Sequence, residues 1–155
     1  MLLRKNIKLA LTFAGLAIIM CASAAFGQAT TNDVSFTNAP ATNFCNGNAM
    51  QITGTLHTVS SFSVNPNGFI HSTFNSTLNA TGVDLVTNAK YVISDTAHME
   101  VNAKTIAQEQ FMGTKMKMIA QGPYPNLTER STVHLVVDAN GNVRVDTSNS
   151  QVSCN

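Results

Sequence analysis

Two loops, each closed by a glycine and set between alternating apolar runs, constrain this chain more than any other feature. Ahead of the first loop, Ile52, Leu56, Phe62 and Val64 share one parity, and Gln51, Thr53, Thr55, His57, Ser61 and Ser63 occupy most of the other. After "NPNGF", Ile70, Phe74, Leu78 and Ala80 alternate with His71, Thr73, Asn75, Thr77 and Asn79. Period two with one apolar face marks a half-buried strand. Pro66 suits the first corner of a type I turn, Asn67 tolerates the second, and Gly68 accepts the left-handed conformation that closes a three-residue loop. That loop sets Asn65 against Phe69, Val64 against Ile70, Leu56 against Leu78 and Phe62 against Ser72. A two-residue loop would send the apolar faces to opposite sides, which a buried face forbids.

The device recurs in "HLVVDANGNVRV", with Ala139, Asn140 and Gly141 as the loop. The same reasoning sets Val137 against Val143 and Leu135 against Val145. Two weaker runs lie between the hairpins. In "KYVISDTAHMEVN", Tyr91, Ile93, Ala97, Met99 and Val101 share a parity on which Asp95 is the exception. In "FMGTKMKMIAQG", Met112, Met116, Met118 and Ala120 stand opposite Lys115 and Lys117. A methionine stripe of this kind reads as core filling rather than a soft-metal site. "QGPYPN" is a loop. "NAKTIAQEQ" is a long turn or a single helical turn capped by Thr105 and answered by Gln108.

Six strands are clear, and the Phe36 region and the Val152 end would raise the count to seven or eight. Short links between sequential strands predict an all-β antiparallel meander, forming a small barrel or a strongly bent sandwich.

The start of the chain reads differently. Arg4, Lys5 and Lys8 precede an apolar run from Leu9 to Met20, and Ala22-Ser23-Ala24 matches a small-residue cleavage pattern. This is the layout of a secretory signal peptide, residues 1–29, with cleavage after Ala24, Ala25 or Ala29. The run is shorter than the roughly 20 residues that span a bilayer. Cys21 raises a lipoprotein option, which Met20 in the preceding position disfavours. Nine basic residues less Arg4, Lys5 and Lys8 leave six against eight acidic ones, a net charge of −2 after cleavage. A chain without a basic surface is not expected to bind nucleic acid. No transmembrane segment is expected once the signal is removed. Residues 30–43 read as a flexible leader, with the option that Val34 and Phe36 dock as a short edge strand. Residues 44–155 read as a single β-domain.

With Cys21 gone, Cys45 and Cys154 have one pairing open to them in an exported chain. That disulfide encloses nearly the whole domain, a closure worth roughly 4–5 kcal/mol on loop entropy. In a barrel it would tie the first and last strands at the seam.

The sequence holds no nucleophile elbow, zincin motif or phosphate-binding loop. "HME" at His98–Glu100 lacks the paired cysteines of a zinc deaminase. No catalytic residue, metal site or cofactor is expected. His57, His71, His98 and His134 each lie on the polar parity of a strand. His98 and Glu100 share a face at i and i+2 and are the candidate site residues, for a ligand, a metal or proton transfer. Asn75, Asn79 and Asn126 head glycosylation triplets, which matter only in a eukaryotic secretory pathway.

The stretches "FCNGN…ITGTLH", "ATGVDLVTNAKY", "IAQGPYPN" and "VVDANGNVRVD…SC" resemble short exported bacterial β-proteins without an assigned function. The likeness runs from Phe44 to Cys154, rests on turns and a cysteine pair, and carries no catalytic residues. The favoured expectation is a non-enzymatic exported β-domain, periplasmic, cell-surface or extracellular. It would bind a small apolar ligand or an envelope protein. The alternatives are a small barrel enzyme acting on an apolar or cyclic substrate and a purely structural surface protein. The oligomeric state is left open.

Overall fold

The structure, a computed structural model, describes residues 29–155. The signal and lipoprotein readings fall almost wholly on residues 1–28 and lie outside the described residues.

Seven strands follow one another: β1 (Thr30–Thr42), β2 (Ala49–Val64), β3 (Ile70–Asp84), β4 (Lys90–Lys104), β5 (Ala107–Ala120), β6 (Leu127–Val137) and β7 (Val143–Cys154). They form one antiparallel sheet in sequence order, each strand pairing only with its neighbours. Residues 30–43, read as a leader with an edge-strand option, contribute β1. It pairs with β2 along Thr30↔Ser60 to Thr42↔Ala49, with a register shift between Phe36 and Ala39. Among the described residues, the sheet therefore begins at Thr30, ahead of Phe44. "NAKTIAQEQ" is neither a helical turn nor a long one. Lys104 pairs with Ala107, and Thr105 takes a positive φ of 54° in a tight link.

The first hairpin has the register that its turn chemistry demands. Val64 faces Ile70, Phe62 faces Ser72 and Leu56 faces Leu78. The Asn65 N–H donates to the Phe69 carbonyl at 2.9 Å, and the Gly68 N–H donates to the Asn65 carbonyl at 2.9 Å. The Asn65 side chain accepts from the Asn67 and Phe69 N–H groups. Asp138 plays the same part in the second loop, accepting from Asn140 and Asn142. Gly68 and Gly141, with φ of 76° and 83°, occupy the left-handed position of each.

One pairing differs from expectation. Val137 does face Val143, but Leu135 faces Asp146, and Val145 faces Val136. An irregularity between Val136 and Val137 leaves Arg144 as the extra residue of β7. Its Nε reaches Asp138 Oδ2 at 2.7 Å. A bulge of this kind moves one side chain to the other face, so Val145 leaves the face shared by Val143 and Leu135.

The sheet is not closed into a barrel, because β1 and β7 share no ladder. It is nonetheless curled at one end. Six inter-strand steps of about 4.8 Å would hold the two edges roughly 29 Å apart in a flat sheet. The Cys45–Cys154 disulfide brings the β1–β2 loop and the end of β7 to a Cα–Cα distance of 5.8 Å. The expected seam is thus a tie across one end, not a paired junction of first and last strands.

Glycine makes the curl possible. A Cβ on Gly54 would collide with the Asn79 carbonyl and with Ala80, and one on Gly82 would lie 2.8 Å from the Met50 methyl and 2.9 Å from Ile93. The core sits in this curl: Met50, Ala80, Ala89, Tyr91, Ile93, Met118 and Leu127 are buried, with Ile52, Leu78 and Met116 packed against them. Along the register, Gly54, Ala80, Ile93, Met118, Leu127 and Cys154 form one row across the core face.

Candidate functional site

Three groupings of polar or exposed apolar residues stand out, on the outer face, on the core face and at the disulfide end.

On the outer face, each of the four histidines meets a neighbouring strand. His57 Nδ1 lies 2.7 Å from Asp33 Oδ1, His71 Nδ1 2.7 Å from Asn102 Oδ1, and His98 Nδ1 2.7 Å from Asn75 Oδ1. Each of these three partners stands directly opposite its histidine in the ladder, where cross-strand side chains are closest. His134 Nε2 reaches Glu109 diagonally at 2.9 Å. The sequence candidates His98 and Glu100 do come together, with Nε2 3.9 Å from Oε2. His71 approaches the other oxygen of Glu100 at 3.8 Å, and the Asn102 amide donates to it at 2.9 Å. Both candidates lie on the outer face and are half-buried. No group of three or more metal-ligating side chains suited to a metal ion occurs among the described residues.

The core face has an acidic waist. Asp95, Met116 and Glu129 form one row, beside a row of small residues, Ser76, Ala97, Thr114 and Ser131. Asp95 Oδ1 is buried without a hydrogen-bond partner. Burial pushes its carboxyl above the usual range, the charge of Glu129 adds to this, and the Thr96 N–H opposes it. Burial also pushes Glu129 up. The parity pattern signals Asp95 as an exception on an apolar stripe; nothing in the sequence signals Glu129. A depression of about 480 Å³ nearby is broad and open, and it is walled by outer-face residues such as Asn75, His98, Lys115 and Arg130, not by Asp95 or Glu129.

The disulfide end is the most elaborately built. Two loops there have the same design. Asn43 opens the first: its N–H donates to the Asn48 carbonyl, its side-chain oxygen accepts from the Cys45 N–H at 3.0 Å, and Gly47 takes φ 77°. Asp84 opens the second: its N–H donates to the Ala89 carbonyl, and Asn88 takes φ 58° at the position equivalent to Gly47. Short polar side chains favour such turns because they bond the backbone two residues on.

Asp84 then joins the two loops. Its side chain is fully buried. One oxygen accepts from the Val86 and Thr87 N–H groups at 3.0 and 2.9 Å. The other accepts from the Asn43 and Asn46 amides at 3.3 and 3.0 Å, and Asn48 reaches both at 3.1 Å. The Asn43 amide also meets the Tyr91 hydroxyl. Burial pushes the Asp84 carboxyl up. The Thr87 N–H, the Asn46 and Asn48 amides and the Val86 N–H outweigh it and hold the group well below the usual carboxylate range. A carboxylate accepting several N–H bonds stays ionised even when buried.

These tied loops carry apolar side chains into solvent. Val86 is 70% exposed, Leu85 51% and Phe44 49%. Tyr124, on the β5–β6 loop at the same end, donates from its hydroxyl to the Thr87 carbonyl at 3.3 Å. Sequence reading missed this cap. The signal that could have found it is the repeated five-residue spacing, Asn43 to Asn48 and Asp84 to Ala89.

No helix among the described residues is long and apolar enough to cross a membrane. The Cys45–Cys154 bond fits an oxidising compartment. No protein family, curated protein or solved structure matches the chain. The fold and site therefore define a class, a disulfide-capped antiparallel meander, and the functional reading rests on its geometry.

Proposed function

We propose that this is an exported, non-enzymatic binding domain that docks an envelope protein through the cap at its disulfide end. One observation carries the reading. Val86, Leu85 and Phe44 are exposed on loops whose backbones are held by a buried carboxylate and a disulfide. Surface loops with nothing to present are ordinarily polar and mobile. Apolar groups held rigidly in water lose little conformational freedom on binding, so their burial turns more fully into affinity. The partner's matching surface is an apolar groove.

The test places a photo-crosslinking residue at Val86 and, as a control, at Thr55 on the outer face, in cells that export the protein. The expected result is one discrete protein adduct from position 86, absent from position 55 and lost when Leu85 is changed to Asp. Equal labelling from both positions would reject the docking role. A small-enzyme reading has one observation in its favour, the inward pair Asp95 and Glu129 with raised pKa values.

A further inference from the structure

We infer that β7 is the edge through which two copies of this chain join, antiparallel, into a two-fold dimer with a continuous sheet.

The two edges of the sheet are not equivalent. β1 is protected against pairing. It carries a register shift between Phe36 and Ala39, a left-handed Asn38 with φ 53°, Pro40, and the charged Asp33. These are the devices that keep sheet edges from adding strands. From Thr147 to Val152, β7 has none of them: it reads T-S-N-S-Q-V, without charge, proline or bulge, and Asp146 beside it is the one charge of the stretch. Every residue of β7 is exposed.

The hydrogen-bond phase of that edge can be worked out. Asn126 and Asn155 exchange both backbone bonds, at 2.6 and 3.0 Å. The register then runs without interruption from Leu127↔Cys154 to Leu135↔Asp146. In an antiparallel ladder, bonded and non-bonded pairs alternate. Ser153, Gln151, Asn149 and Thr147 therefore turn their N–H and C=O groups to β6. Asp146, Ser148, Ser150 and Val152 turn theirs outward.

This row is self-complementary. The Arg144 bulge limits it on one side and the disulfide at Cys154 on the other, so its centre is Asn149. A two-fold axis there pairs Ser148 with the second copy's Ser150, and Asp146 with its Val152. All outward groups meet outward groups, for about eight new backbone bonds. On the other face Asn149 meets its own copy and Thr147 meets Gln151, both polar pairs. No like charges are opposed. Such an isologous contact closes on itself and stops at two chains, and the blunted β1 edge prevents further growth.

Analytical ultracentrifugation of the mature chain, over micromolar to sub-millimolar concentration, tests this. A monomer–dimer equilibrium is expected. Ser150→Pro removes an outward N–H and leaves the β6 ladder intact, the position where an edge strand tolerates proline. It should yield a monomer whose unfolding midpoint matches the wild type at concentrations where the wild type is itself monomeric. Asn149→Lys keeps the backbone and sets two lysines against each other on the axis; it should weaken the dimer about tenfold or more. Asn149→Cys should cross-link the dimer on oxidation, whereas Ser35→Cys on β1 should not. A protein that stays monomeric throughout would overturn the inference. So would a dimer indifferent to both Ser150→Pro and Asn149→Lys. Neither outcome bears on docking at Val86, which lies outside β7.

Discussion

The two ends of this sheet are made from the same strands and differ in almost everything else. At the disulfide end, Met50, Tyr91, Ile93, Met118 and Leu127 are buried, two loops are tied by Asp84, and the edges are drawn together by Cys45–Cys154. At the far end, Phe62, Phe74, Met99, Met112 and Leu135 lie on the same core face, yet each is only half-buried. The apolar pattern hardly changes along the strands. What changes is curvature. Gly54 and Gly82 let neighbouring strands and their side chains approach closely beside the buried cluster; elsewhere the face stays open. An apolar pattern is necessary for a core, but the core forms only where the backbone can bring the two edges together.

The largest test of this contrast is to release the tie. Changing Cys45 and Cys154 together to Ser opens a span of 109 residues. The expected loss is roughly 4–5 kcal/mol in denaturant unfolding on loop entropy, which would leave little of a typical domain's stability. A loss below about 1 kcal/mol would mean that the curl holds itself. Next is Asp84→Ala, which strands the amides of Asn43, Asn46 and Asn48 and two N–H groups. A cost of about 3 kcal/mol is expected, with Val86 and Leu85 freed on their loop. Asp138→Ala, in the exposed loop of the far end, should cost far less.

A matched pair then compares the ends directly. Met118→Ala should cost about 2–4 kcal/mol, and Met112→Ala, the same deletion on the open half of β5, under about 1 kcal/mol. Equal costs would show that the far end is as well packed as the near one.

The smallest effect is electrostatic. The Asp84 carboxyl is held below its unfolded value. Its contribution is full above about pH 4 and is lost as pH falls from there. Asp95 and Glu129 are held above theirs, so their contribution is full below about pH 4 and is lost as pH rises through their folded values. Asp95→Asn should therefore raise the unfolding midpoint at pH 7 and leave it nearly unchanged near pH 3. A lowered midpoint at pH 7 would reveal a partner for the charged form.

The hairpin registers were legible because turn chemistry and parity are local and agree: Gly68 demands a three-residue loop, and that loop puts Leu56 opposite Leu78. The same reasoning placed Val145 on the wrong face. The bulge at Arg144 answers to its contact with Asp138, and alternation alone carries no mark of it. The disulfide was legible from cysteine count. The sheet's failure to close was not, because seven strands with apolar alternation suit a barrel and an open curl equally well. His98 and Glu100 were rightly placed near each other by their i, i+2 spacing, but parity says nothing of a third ligand. Asp84 gave no sign of burial. It stands at the end of a strand before an ordinary turn, and its partners Asn43, Asn46 and Asn48 arrive from a loop some 40 residues earlier, as in the Asn43–Asp84 contact.

The sequence by itself determined six of the seven strands, the two three-residue loops and the cysteine pairing, since these depend on neighbours a few residues apart or on simple counting. The tertiary structure alone decided where the sheet curls and which end holds the core. Those depend on how far the backbone bends over six strand steps, a sum of small twists that no single residue records.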